Sequence, residues 1–145
     1  MRDSGKIRNF KELRVWQEGI NLVKDVYLLT TNFPKSEIFG LVQQMRRAAV
    51  SIPSNIAEGF NRYHSREKQQ FLHVASGSAA ELETQLIIAK ELRYLGEAEL
   101  QKLTERIQSI CRMLAAAIAR MRDSTPYVSE DGQISAIRYQ LQTGE

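Results

Sequence analysis

Cysteine, proline and histidine are scarce in this sequence of 145 residues. Its single cysteine, Cys111, rules out an intrachain disulfide. No apolar run approaches the ~20 residues of a membrane-spanning helix, and the first ten residues contain no apolar signal-peptide core. These absences predict a cytoplasmic protein that does not enter the membrane. Because there are only three prolines, long segments remain uninterrupted, which favours a helical fold.

The residue types that carry catalysis or bind metals are also few. Neither His64 nor His73 follows a glutamate at the spacing of the Glu-x-x-His motif, with which helical bundles bind metals. Cys111 lies in an apolar segment, where a buried structural thiol is the usual role. The sequence contains neither a Gly-x-Ser-x-Gly nucleophile motif nor a phosphate-binding glycine loop. We therefore predict no metal, no cofactor and no enzymatic activity.

What the sequence does contain is apolar periodicity of the helical kind. Apolar residues recur every three or four positions in four segments. These are residues 9–31, a segment that starts between 36 and 40 and ends at 60, residues 66–94 and residues 97–122. Short connections make consecutive helices antiparallel, so the predicted fold is an all-α, up-down-up-down four-helix bundle. The predicted domains are a basic N-terminal arm (1–8), the bundle (9–122) and a polar, mobile C-terminal tail (123–145).

The first predicted helix carries two apolar stripes. A monomeric bundle needs only one such face on each helix, so the surplus predicts contact with another subunit. One stripe consists of Leu13, Trp16, Ile20, Val23 and Tyr27, and the other of Val15, Leu22, Val26 and Leu29.

The stretch QQMRRAAVSIPSNIAEGFNR contains Pro53 between two helical halves. It reads as one kinked helix, as a helix boundary or as an active-site loop. The apolar steps continue through the proline, which favours one helix with a local kink. Pro53 has no amide donor and crowds the carbonyl of Ala49. The polar side chains predicted to satisfy the freed backbone groups are Ser51, Ser54 and Asn55.

Small residues predict a close approach between the second and third helices. Ala48, Ala49 and Ser51 would face Gly77 and Ser78. The alternative is that Gly77 only weakens its helix, by about 1 kcal/mol.

Helix ends and one ion pair are also predicted. Ser65 is expected to cap the start of the third helix, and Gly96 to take the left-handed position after its end. Glu81 is expected to reach Arg46 or Arg47, although both arginines are equally candidates for an anion-binding surface.

Basic residues are the strongest functional candidates. One cluster lies near the N-terminus and another lies at the second helical junction, where Tyr63 and His64 are interleaved with it. Cations among aromatic rings are typical of nucleic-acid binding, and the competing interpretation is a solvated helix end. The predicted contacts are Lys6, Arg8, Lys11, Arg14, Arg46, Arg47, Arg62, Arg66 and Lys68.

Charge is unevenly distributed along the chain. The net charge is +3, but residues 123–145 carry four acids and only Arg138, so residues 1–122 carry +6. Ile134, Ile137 and Leu141 in the acidic tail predict a short amphipathic turn against a partner, and the alternative is a tail that is mobile by itself.

Two stretches, RRAAVSIPSNIAEGFNR and FLHVASGSAAELETQLIIAKELRYL, resemble the four-helix-bundle proteins encoded in intervening sequences of 23S ribosomal RNA genes, the S23 family. The resemblance spans Phe10 to Met121 and implies a homopentamer without assigned enzymatic activity. The family is in turn similar to the accessory protein of diversity-generating retroelements, a basic pentameric barrel that binds nucleic acid and a reverse transcriptase. The residues that mark the resemblance include Pro53, Asn55, Glu58, Gly59, Gly77, Ser78 and Glu81.

Three functional hypotheses follow. The first is a non-enzymatic homo-oligomer that binds RNA or DNA, ribosomal or within a ribonucleoprotein, together with a nucleic-acid-processing protein. The second is a scaffold that binds only protein. The third, and weakest, is an enzyme that uses Asn55, Glu58 and Glu81.

Overall fold

The computed structural model describes residues 7–124, so Lys6 and the predicted tail turn lie outside the described residues. It confirms the all-α prediction, because residues 7–124 form α-helices and short 3₁₀ turns without any strand. The first helix is shorter than predicted, since extended backbone at Leu13 (ψ 125°) separates it from a preceding turn. The α-helices are α1 (Arg14–Thr30), α2 (Leu41–Phe60), α3 (Ser65–Glu91) and α4 (Glu97–Ser124), with 3₁₀ turns at Phe10–Glu12 and Lys35–Glu37.

The four helices pack around one core in antiparallel order. α2 and α3 share the most extensive contact, while α1 packs against α2 and α4, and α3 packs against α4. Ion pairs mark two of these contacts: Asp25 of α1 pairs with Arg106 of α4, and Lys90 of α3 lies 2.8 Å from Glu97 of α4. The largest fully buried side chains are Leu22, Val26, Met45, Ile52, Ile56, Leu82, Leu86, Ile107, Ile110 and Leu114.

The two apolar stripes of α1 have different environments. Leu22 and Val26, of the stripe that begins at Val15, are fully buried in the core. In the stripe that begins at Leu13, Trp16 is only partly buried and Tyr27 is 43% exposed. Leu13, Trp16 and Val23 of this stripe pack against the core of the subunit, so the exposed apolar surface on it is that of Tyr27.

α2 continues through Pro53 as one helix, as predicted. Asn55 Nδ2 donates to the Ser51 carbonyl (2.7 Å), and Ser54 Oγ donates to the Val50 carbonyl (2.8 Å). These acceptor residues directly follow Ala49 in the sequence. The Ala49 carbonyl has no helical amide donor at residue 53, because proline lacks a backbone N–H. The side chains thus reinforce the neighbouring backbone instead of the Ala49 carbonyl itself.

The proline also shapes the α1–α2 contact. A Cβ atom added at Gly19 would lie 3.3 Å from Pro53 Cβ, so α1 crosses the buried proline ring at a glycine. Apolar periodicity gives no signal for this contact, because Gly19 belongs to neither apolar stripe of the first helix.

The predicted close approach of α2 and α3 is present, but Gly77 does not take part in it. Ser51 Oγ and Ser78 Oγ are hydrogen-bonded at 2.8 Å across the interface. Gly77 is exposed, and an added Cβ there would meet nothing within 4 Å. The tight position is Gly59, where a Cβ would lie 3.0 Å from Phe71 Cβ. Gly77 points outward because a helix turns by about 100° per residue, which separates it from Ser78.

Both predicted caps of α3 are wrong. His64 occupies the N-cap position with extended backbone, and Ser65 is already the first helical residue. The left-handed residue after α3 is Arg93 (φ 65°), whereas the backbone of Gly96 lies outside the left-handed range. The reversal therefore comes three residues earlier than glycine placement indicates.

Tertiary contacts determine where α3 ends. The amides of Arg93 and Tyr94 donate to the carbonyls of Lys90 and Ala89 at 2.9 and 2.8 Å, which is the Schellman pattern. The Tyr94 ring lies 5.4 Å from that of Phe33, and its hydroxyl donates to Glu37 Oε1. The turn is thus attached to the α1–α2 connection.

Candidate nucleic-acid interface

Antiparallel packing brings together basic residues that are far apart in the sequence. The start of α1, the α2–α3 turn and the last turns of α4 meet at one end of the bundle. A groove of about 540 Å³ at this end is lined by all four helices and by Arg14, Lys68 and Arg120. We call this region the basic end, and its described cations are Arg8, Lys11, Arg14, Arg62, Arg66, Lys68, Arg120 and Arg122.

Local contacts hold two of these cations in place. Arg62 pairs with Glu58 at 3.1 Å, and its guanidinium lies 4.8 Å from the centroid of the Phe71 ring. Lys68 Nζ lies 5.6 Å from the Phe60 ring and donates to the Phe60 carbonyl at 3.4 Å. The Arg62–Glu58 pair is exposed to water, so it contributes little to stability.

Tyr63 presents a free aromatic surface at the same end. Its side chain is 91% exposed and makes an edge contact with His64, with ring centroids 5.2 Å apart. Arg62 precedes this aromatic pair in the sequence and Arg66 follows it. An exposed ring among cations is suited to stacking on a nucleobase while the cations bind phosphates.

Arg46 and Arg47 lie away from the basic end. Both line a second groove, of about 560 Å³, at the opposite end of the bundle. Arg46 Nε donates to Thr30 Oγ1 at 2.9 Å, and its guanidinium lies 4.5 Å from the centroid of the Tyr27 ring. The structure therefore divides the predicted nucleic-acid contacts between two ends.

The predicted ion pair between Glu81 and Arg46 or Arg47 is wrong. Arg46 is held against α1, whereas Glu81 is exposed on α3 and accepts from Gln85 Nε2 at 3.2 Å. The ion pairs of the described residues do not join Glu81 to either arginine. The sequence pattern missed this because α1 competes for the Arg46 side chain.

The residues of the catalytic hypothesis make separate contacts. Asn55 bonds to Ser51, Glu58 pairs with Arg62, and Glu81 bonds to Gln85. Within residues 7–124, no three His, Cys, Asp or Glu side chains are grouped as metal ligands.

The Cys111 thiol is unsuited to act as a nucleophile. Burial raises its pKa, and the Glu83 carboxylate raises that pKa further. A raised pKa keeps the thiol protonated, and the protonated form is the unreactive one.

The end opposite to the basic end exposes large apolar side chains. Phe39 is 90% exposed and Leu28 is 71% exposed. We call this region the apolar end, and its members are Tyr27, Leu28, Ile38, Phe39, Ile87, Ile88 and Leu92.

Among residues 7–124, none of the helices combines the length and the apolar character that a membrane span requires.

Comparison with known proteins agrees with this architecture. The model of the 23S rRNA-intervening sequence protein family matches residues 11–116. The chain belongs to this family. A crystal structure of a protein of unknown function from the S23 ribosomal protein family of Bacteroides thetaiotaomicron superposes with a TM-score of 0.65 at 20% identity, covering 72% of this chain and 97% of that one. A search of curated proteins gave no match.

The basic end extends beyond the residues matched by the family. Arg8 precedes the matched residues, and Arg120 follows them. Arg120 was not among the nucleic-acid contacts predicted from the sequence. The antiparallel order of α1 and α4 was the available signal that Arg120 and Arg14 share one end.

Proposed function

We propose that this protein is a non-enzymatic homo-oligomer that binds RNA through the basic end of each subunit. The observation that carries the proposal is the convergence of cations from three separate segments around one groove. Phosphate contacts supply most of the affinity in such an arrangement, with little base discrimination.

Tyr63 favours single-stranded over duplex RNA as the ligand. Its ring is 91% exposed, and in a base-paired helix the faces of the bases are already stacked. A single strand leaves these faces accessible, so that one base stacks on Tyr63 while neighbouring phosphates contact Arg62 and Arg66.

Assembly would strengthen the interaction with RNA. The apolar end offers surface for contact between subunits, and the family resemblance implies five copies. Closed rotational symmetry repeats the basic end around a ring, and five copies of a +6 body carry about +30.

Salt-dependent binding tests the proposal. Fluorescence anisotropy with a labelled single-stranded RNA is expected to show affinity that falls about 10³-fold or more between 50 and 200 mM salt. Lys11→Glu with Arg66→Glu should weaken binding strongly. The matched control, Lys24→Glu with Lys35→Glu, makes the same charge change on exposed residues away from the basic end. Equal losses in both variants, or no binding at low salt, would refute the proposal.

Stacking is tested separately. Tyr63→Ala should weaken binding of single-stranded RNA about tenfold and leave duplex binding nearly unchanged. Equal effects on both RNA forms would exclude a stacking role.

The alternative is a scaffold that binds only protein, and the exposed apolar end favours it. Two results together would establish this alternative. The protein would retain no RNA at any salt concentration, and it would bind a protein partner in a manner insensitive to nuclease.

A further inference from the structure

We propose that residues 125–145 bind in the groove of the basic end of their own subunit and compete there with RNA. Binding of this segment is independent of the proposed function, whereas the competition rests on it. The segment is named the acidic segment below.

The groove combines apolar walls with basic side chains, so its chemistry complements an occupant that carries both apolar and acidic side chains. Its walls include Ile56, Phe60, Leu72 and Met113, and about 540 Å³ is within the range of ligand-binding pockets. Three cations stand among these apolar side chains, one each from α1, α3 and α4: Arg14, Lys68 and Arg120.

The acidic segment has the complementary chemistry. It carries three acids and one arginine, so its net charge of −2 is opposite to that of the groove cations. Ile134, Ile137 and Leu141 are spaced by three and four residues, which places them on one face of a helical turn. Glu130 and Asp131 directly precede this apolar set.

The point at which the described chain ends favours this occupant over a free ligand. Arg120 and Met121 line the groove, and α4 ends at Ser124. The ten residues from Ser124 to Ile134 span up to ~33 Å when extended, so Ile134 reaches any part of the groove. Tethering makes the local concentration of the acidic segment high, of millimolar order.

Part of the proposed arrangement lies outside the residues that match the family. The matched region stops at residue 116, before Arg120 and before the acidic segment. One groove cation and its proposed occupant thus lie together outside the matched region.

Methionine methyl signals in an NMR spectrum test the binding directly. Met113 lines the groove, while Met45 is fully buried elsewhere in the core and serves as the internal control. Truncation after Ser124 should shift the Met113 signal and leave that of Met45 unchanged. A synthetic peptide of residues 125–145 added to the truncated protein should restore the original position. An unchanged Met113 signal after truncation would overturn the proposal.

A mixed sample identifies the subunit that donates the segment. Truncated protein with labelled methionines is mixed with unlabelled full-length protein and allowed to exchange subunits. The Met113 signal should stay at its truncated position. Restoration of the signal in the mixed oligomer would show that a neighbouring copy supplies the segment and would overturn the assignment to the same subunit.

RNA binding tests the competition. Replacing Ile134, Ile137 and Leu141 with serine removes the apolar anchor but keeps every charge. This variant should bind single-stranded RNA about tenfold more tightly than the full chain at about 0.1 M salt. Unchanged affinity would show that the segment does not compete through the groove.

The two measurements separate two possible failures. A Met113 shift without any RNA binding would support the segment binding and refute the proposed function alone. RNA binding with an unchanged Met113 signal would support the function and refute the segment proposal alone.

Discussion

At the scale of single residues, two glycines in the α2–α3 pair have opposite roles. A Cβ at Gly59 would lie 3.0 Å from Phe71 Cβ and 3.2 Å from the Lys68 carbonyl. Both contacts are with the adjacent helix, close to its backbone, so they cannot relax by a side-chain rotation. A Cβ at Gly77 would meet no atom within 4 Å. The packing environment, and not the residue type, determines what each glycine contributes.

Alanine substitutions should therefore change stability in opposite directions. We expect Gly59→Ala to lower the free energy of unfolding by about 1–3 kcal/mol because it overpacks the helix contact. We expect Gly77→Ala to raise it by about 0.5–1 kcal/mol because alanine favours the helical state. Urea denaturation at a single protein concentration measures both, and a stabilising Gly59→Ala would contradict the close approach.

The left-handed residue after α3 gives a second prediction. Arg93 adopts φ 65°, which costs a non-glycine residue about 1–2 kcal/mol. Arg93→Gly should raise the free energy of unfolding by about 0.5–1 kcal/mol after the entropy of glycine is subtracted. Gly96→Ala is the control and should change stability by less than about 0.5 kcal/mol, since the backbone of Gly96 is not left-handed and an added Cβ would meet nothing within 4 Å. Thermal unfolding followed by circular dichroism distinguishes the two variants.

At the scale of elements, the α2–α3 contact combines small side chains with a polar link. Ser51 Oγ is bonded to Ser78 Oγ at 2.8 Å, and it also accepts from Asn55 Nδ2 at 2.9 Å. Both serine side chains are small, which allows the two helices to approach closely at this point. The link gives the buried Ser78 hydroxyl a hydrogen-bond partner.

A double-mutant cycle on these serines tests the link. Ser51→Ala and Ser78→Ala should each lower the free energy of unfolding by about 1 kcal/mol, and the double variant should lose less than their sum by about 0.5–1.5 kcal/mol. Ser54→Ala, whose hydroxyl bonds only within α2, should change stability by less than about 0.5 kcal/mol. Additive losses in the denaturation curves would mean that the two hydroxyls are not coupled.

At the scale of the whole molecule, the two ends of the bundle differ in their surface chemistry. The cations of the basic end and the exposed Tyr63 lie at one end, while the exposed apolar side chains lie at the other, where Arg46 and Arg47 line a separate groove. This separation allows assembly through one end and binding of an anionic ligand at the other, because neither surface has to serve both purposes.

Two equally exposed aromatic residues distinguish the ends. Phe39 is 90% exposed at the apolar end, and Tyr63 is 91% exposed at the basic end. Under the proposed assembly through the apolar end, Phe39→Asp should reduce the oligomer mass, because a buried unpaired carboxylate is unfavourable in an interface. Tyr63→Asp should leave the mass unchanged. Light scattering coupled to gel filtration measures both, with circular dichroism confirming the helical content; an unchanged mass for Phe39→Asp would place the interface elsewhere.

Local patterns in the sequence determine the elements of this protein. Apolar periodicity predicts the four helices and the continuity of α2 through Pro53, because a helix face is defined by residues only a few positions apart. The family resemblance comes from the same local motifs. The two-stripe character of α1 is likewise visible without coordinates.

Tertiary structure alone decides which residues meet. It buries the Leu22 and Val26 stripe, places the left-handed residue after α3 at Arg93 instead of Gly96, and turns Arg46 towards α1 and away from Glu81. It also brings Arg120 beside Arg14 and Lys68. These outcomes depend on helix rotation and on competition among distant partners. A helical period fixes neither, since it describes one helix at a time.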